Sequence, residues 1–106
     1  MFDALEVSLD LVRSLRVPVL RLRRRDRALS DQVRRAASSV ALNLAEGRRR
    51  SGADRTHCWR IAAGSAEELR AALRVALAWG ALENRDVSQA LELLDRVLAM
   101  LWRLVR

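Results

Sequence analysis

Three groups of residues in this chain of 106 have side chains that could do chemistry: a histidine beside a cysteine, several arginine clusters, and a line of polar side chains. His57 and Cys58 are the sole residues of their types, so a Cys/His nucleophilic pair would have to be this one. Adjacent residues on a helix point about 100° apart and do not face each other. A metal centre needs three or four ligands, and no second His/Cys cluster exists. Gly47 and Gly52 flank three arginines, but the chain has no lysine to complete a phosphate-binding loop. The pair therefore reads as a helix-surface histidine and a small buried thiol, with no enzyme activity, metal or cofactor expected.

The arginines say more. The net charge is +7, and it is confined. Residues 1–20 carry two arginines against three acids, residues 21–60 twelve against four, and residues 61–106 six against six. The middle stretch alone thus holds +8, which points to an anionic partner. Arg21, Arg23, Arg24, Arg25 and Arg27 form one cluster; Arg48, Arg49 and Arg50 form a second, followed by Arg55 and Arg60. Guanidinium groups suit bidentate phosphate contacts, so Arg23, Arg24, Arg25, Arg48, Arg49 and Arg50 are the expected contacts to an RNA or DNA backbone. Trp59 and Trp79 are expected to project toward the core, which leaves no aromatic platform for bases. The polar line is Gln32, Arg35, Ser39, Asn43 and Glu46, at spacings of three and four. It reads as a network fixing helix register or as a binding surface, and the structural role is preferred.

Helices must position these groups. With 19 leucines, 17 alanines, four glycines and one proline, an all-α fold is expected. Four segments have helical period. The first runs from about Asp3 to Arg23, in one register through a kink near Val17 ahead of Pro18. The second follows Ser30 as N-cap, buries Val33, Ala36, Val40 and Leu44, and ends at Gly47. The third starts near Ser51 or Asp54 and runs to Gly80, with a close helix contact expected at Gly64-Ser65. The fourth opens on Asp86 and Gln89 as a capping-box pattern and carries a stripe from Val87 to Val105. Short connections make neighbouring helices antiparallel, so an up-down-up-down four-helix bundle spanning residues 1–106 as one domain is expected. The two arginine clusters then lie at opposite ends of the second helix, roughly 25 Å apart.

Phe2, Leu9, Leu20 and Trp102 widen the apolar arcs beyond what this bundle needs, which points to a homo-oligomer. No run of about 18 uncharged apolar residues exists, so no membrane span is expected. Asp3 and Glu6 stand where a secretory signal would be basic, and the one cysteine cannot form an internal disulfide. A cytoplasmic location follows as the expectation.

Gln32-Val33-Arg34-Arg35-Ala36-Ala37, then Ser39 to Gly47 with its Asn43-Leu44-Ala45-Glu46-Gly47 segment, then Ala62-Ala63-Gly64-Ser65 with Glu68 form a recognisable pattern. It resembles the bacterial four-helix-bundle family of 23S ribosomal RNA intervening-sequence proteins. The accessory variability determinant of diversity-generating retroelements is related to that family. Ala41 departs from it, since proline is frequent there. The resemblance implies a homopentameric ring with a basic surface. For the retroelement members it also implies binding to nucleic acid and to a reverse transcriptase. Asn43, Glu46, Gly64, Ser65 and Glu68 match the motif as packing and network residues. An alternative role is a scaffold whose ring docks a protein partner.

Overall fold

The computed structural model describes residues 2–105. Met1 and Arg106, the outer limits of the expected domain, lie outside the described residues. Within them the chain forms five helices and no strand: α1 Asp3–Ser14, α2 Arg16–Arg25, α3 Arg27–Arg49, α4 Gly52–Ala78 and α5 Asn84–Leu104. The all-helical expectation therefore holds. The expected single first helix is instead two, broken at Leu15. Proline at position 18 has no N–H, so the Ser14 carbonyl loses its helical partner. The Leu15 amide turns back to the Val12 carbonyl at 3.1 Å, and the ladder resumes with Val19 donating to Leu15 at 2.9 Å. The break thus falls before the expected kink at Val17.

Other boundaries move for equally local reasons. Asp26, not Ser30, caps α3: its carboxylate accepts from the Leu29 amide at 3.0 Å. Ser30 is buried, and its hydroxyl donates to the Val19 carbonyl at 2.9 Å, tying the first turn of α3 to α2. Gly47 does not end the helix, which continues to Arg49. At ~1.5 Å per residue α3 is then roughly 34 Å long, which sets its two ends farther apart than the 25 Å expected. The start of α5 lies at Glu83 rather than Asp86. Asp86 takes the third position of the helix, where its Oδ2 accepts from the Glu83 amide at 2.8 Å. The start of α4 agrees with the sequence, with Ser51 at the N-cap position.

α3 and α4 are antiparallel. Leu44 meets Trp59, Ser39 meets Ser65, and Gln32 meets Glu68, so positions on one helix rise as those on the other fall. α5 packs on α1 and α4, and α3 also packs on α1 and α2. All five helices contribute to one core, filled by Leu11, Leu22, Leu44, Leu73, Leu94 and Leu101 among others. Each such leucine contributes about 1.5–3 kcal/mol relative to exposure.

Two further expectations change here. Phe2 is not spare apolar surface; its ring lies 5.8 Å from that of Trp59 and packs against the core. Among the described residues Gly64 makes no close helix contact, since a Cβ there would meet nothing within 4 Å. Leu20 and Trp102 are exposed, in line with the wide arcs, while Leu9 is half-buried.

Candidate nucleic-acid interface

Both arginine clusters sit at helix ends, but the fold treats them differently. At the α3–α4 turn most of the guanidinium groups are engaged. Arg48 lies 5.1 Å over the Phe2 ring. Arg50 pairs with Glu46 at 2.8 Å, and this hydrogen bond raises its pKa above the ordinary arginine value. Arg55 closes the C-terminus of α3, donating from Nε to the Gly47 carbonyl at 3.1 Å and from Nη2 to Arg48 at 3.0 Å. A cation at that position satisfies carbonyls that the helix leaves without partners. The same guanidinium lies 5.3 Å over the Trp59 ring. Arg49 and Arg60 are exposed, with no ion pair among the described residues.

At the α2–α3 joint the balance is reversed. Arg23, Arg24, Arg25 and Arg27 are all exposed, and none has an acidic partner among the described residues. Asp26, lying between them in the chain, is occupied with the cap of α3. Arg21 pairs with Asp86 at the start of α5, at 2.5 Å. The Asp86 carboxyl is held below the usual carboxylate range, first by the Glu83 backbone N–H and then by Arg21. The six candidate phosphate contacts are thus split. Among the described residues Arg23, Arg24, Arg25 and Arg49 have no acidic partner, while Arg48 and Arg50 are committed within the fold.

The polar line on α3 is split as well. The Ser39 and Ser65 hydroxyls are 2.7 Å apart across the α3–α4 seam, and Asn43 Nδ2 donates to the Ser39 carbonyl at 2.9 Å and hydroxyl at 3.1 Å. All three side chains are half-buried. Gln32 reaches Glu68 only at 3.5 Å, at the exposed edge of the seam. Arg35 is exposed on the outer face of α3, beside Asp31 and Leu42 in one shallow hollow. Glu46 serves Arg50, and Gly64 lies open to solvent. The network reading therefore fits Ser39, Asn43 and Ser65, and not the ends of the line.

Of the tryptophans, Trp59 is buried as expected, its Nε1 donating to the Leu44 carbonyl at 3.2 Å. Trp79 is not directed into the core: it is 79% exposed. Helical period alone does not reveal this, because Trp79 follows buried Ala76 by three residues and buried Ala72 by seven. It is the C-cap of α4, one residue past the last residue of the helix. Arg55, in sequence only one more basic residue after the second cluster, is the cap of the preceding helix.

His57 is exposed and Cys58 half-buried. Among the described residues no group of three or more His, Cys, Asp or Glu could hold a metal ion, and no helix is long and apolar enough to cross a membrane. No curated protein matches the chain. The model of one family matches residues 4–103, nearly all of the sequence that folds into these five helices and includes both arginine clusters and the Ser39–Ser65 seam. The chain belongs to the 23S rRNA-intervening sequence protein family.

Proposed function

We propose that this protein is a non-enzymatic, cytoplasmic, homo-oligomeric accessory protein that binds RNA or DNA through arginine–phosphate contacts. In this reading α1 and α2 count as one arm of an up-down-up-down four-helix bundle, and the pentameric ring implied by the family resemblance is its assembly. The observation that carries it is the set of four exposed arginines at the α2–α3 joint, Arg23, Arg24, Arg25 and Arg27, without acidic partners among the described residues. Guanidinium groups left unpaired within a fold are available to phosphates, and a ring would repeat them around one face.

The test is fluorescence anisotropy of labelled single-stranded RNA and duplex DNA across a salt series. Affinity should fall log-linearly with salt, with a slope of about −0.7 per phosphate for single strands and −0.9 for duplex. Replacing Arg23, Arg24 and Arg25 by alanine should weaken binding and leave stability unchanged. Replacing Arg48, Arg49 and Arg50 should lower stability as well, because two of the three are engaged in the fold. Unchanged affinity in both triple variants would overturn the assignment.

The second reading is a scaffold that docks a protein partner, such as a reverse transcriptase, on the oligomer. Exposed Val17, Leu20, Leu42 and Trp102 favour it, since a docked partner would cover apolar side chains that the fold leaves at the surface. A partner retained after nuclease treatment of a lysate supports this reading; one lost with the nucleic acid supports the first.

A further inference from the structure

The α2–α3 joint faces a cleft of about 400 Å³ whose other wall is the corner between α4 and α5. Arg21, Arg24, Arg25 and Arg85 line it. Its two acids are already engaged: Asp86 with Arg21 and the Glu83 amide, Glu83 with Arg85 at 2.9 Å. Arg24 and Arg25 have no acidic partner among the described residues. Gly80, at φ +73°, forms part of the cleft, and the residue before it is the exposed Trp79. The α3–α4 register also places Trp79 at this end. Ser39 opposite Ser65 and Leu44 opposite Trp59 carry Trp79, by extrapolation, to the level of the Arg25–Arg27 joint. An exposed indole therefore stands at the same end of the molecule as the basic cleft, one residue from a glycine that lines it.

Phosphates alone give such an indole no role, because it contributes no charge. A base does, since every base has a face that stacks on an aromatic ring, and single strands present their bases unpaired. A duplex holds its bases stacked on each other and offers the cleft only backbone. Resting on the nucleic-acid reading above, we infer that this cleft is a single-stranded nucleic-acid site, in which Arg24 and Arg25 take phosphates and Trp79 stacks one unpaired base. At the opposite pole Trp59 is buried, and Arg48, Arg50 and Arg55 are engaged, which leaves Arg49 and Arg60. The excess of arginine over acid in the cleft makes an anionic strand, rather than a neutral apolar surface, its fitting occupant.

The experiment measures binding of four probes: a short oligoadenylate as RNA and as DNA, an abasic strand of the same length, and a duplex. Wild-type protein should bind oligoadenylate more tightly than the abasic strand. Trp79→Ala should abolish that difference, weakening oligoadenylate binding by about 5-fold or more, with duplex affinity unchanged. Trp79→Phe should restore most of the loss. Arg24→Ala with Arg25→Ala should weaken all probes alike. Tighter binding of either sugar supports the site and identifies its source.

Three results would overturn the inference. Trp79→Ala binding oligoadenylate as wild type does is one. Losing duplex and single strand in equal measure is another. A changed oligomeric mass in Trp79→Ala would show that a second copy covers the indole. If wild-type protein binds none of the probes, the nucleic-acid reading itself fails, a result distinct from these three.

Discussion

Gly47 and Trp59 occupy nearly the same space. A Cβ placed on Gly47 would stand 2.5 Å from the indole Nε1 and 2.6 Å from Cδ1. The indole is held there by its hydrogen bond to the Leu44 carbonyl, one turn back on α3, and by Arg55 above its ring. The glycine inside the last turn of α3 is therefore a packing requirement. No positive φ is involved, because the positive-φ glycines are Gly52 and Gly80.

Gly47→Ala should destabilise the protein by about 1–2 kcal/mol. Overpacking costs roughly 1–3 kcal/mol, against a gain of up to about 1 kcal/mol in helix propensity. Urea denaturation reads it as a lower midpoint at constant slope. The loss should shrink in a Trp59→Phe background, where the smaller ring leaves room. A variant as stable as the parent would mean that the indole moves freely.

Gly64→Ala should behave in the opposite way. Gly64 is exposed in mid-helix with open space around its Cβ direction. Alanine there should stabilise the isolated chain by about 0.5–1 kcal/mol through backbone entropy and propensity. Calorimetry together with light scattering separates two effects. A higher melting temperature at unchanged mass locates the gain within the fold; a fall in mass would locate the glycine in a contact between copies.

These two glycines show what was legible in the sequence. The Asn43-to-Gly47 and Gly64-Ser65 segments carry the family resemblance, and composition with helical period carries the all-helical fold. Yet Gly47 looked like a terminator and Gly64 like a close contact, when the close contact is at Gly47. Composition and period report which face is apolar; they do not report which large side chain reaches across to which small one. The same limit applied to the arginines. Charge along the chain located both clusters, but Glu46, Phe2 and the open end of α3 decide which guanidiniums are spent, and those partners are set by tertiary packing. Leu15 was hidden for a different reason. The apolar register runs unbroken past Pro18, so periodicity reported one helix while the missing N–H broke the backbone.

Ser39 and Ser65 should prove energetically coupled. Each alanine substitution should cost about 1 kcal/mol, as expected for one half-buried hydrogen bond. The double variant should cost less than the two losses added, by about 0.5 kcal/mol or more. Additive losses would mean that the hydroxyls do not bond each other. Probe binding should be unchanged in all three variants if this part of the polar line is structural. Weakened binding at unchanged stability would make it a binding surface.

Asp86 should give the protein a stability component that disappears in acid. Its pKa is lowered in the folded state, so the charged form is favoured by folding. The contribution is fully present above the ordinary carboxylate value of about 3.9, and it is lost as pH falls through the lower folded value. Asp86→Asn should therefore be less stable than wild type at neutral pH, and the gap should close in more acidic solution. The largest cause of the shift is the Glu83 backbone N–H, with Arg21 behind it. Arg21→Ala should accordingly raise the Asp86 pKa only in part. Carboxyl-carbon NMR titration of Asp86 in both proteins measures this directly. A return to the ordinary value in Arg21→Ala would make the ion pair, and not the helix start, the controlling interaction. It would also mean that Arg21 could not leave Asp86 for a phosphate without freeing a carboxylate in the cleft.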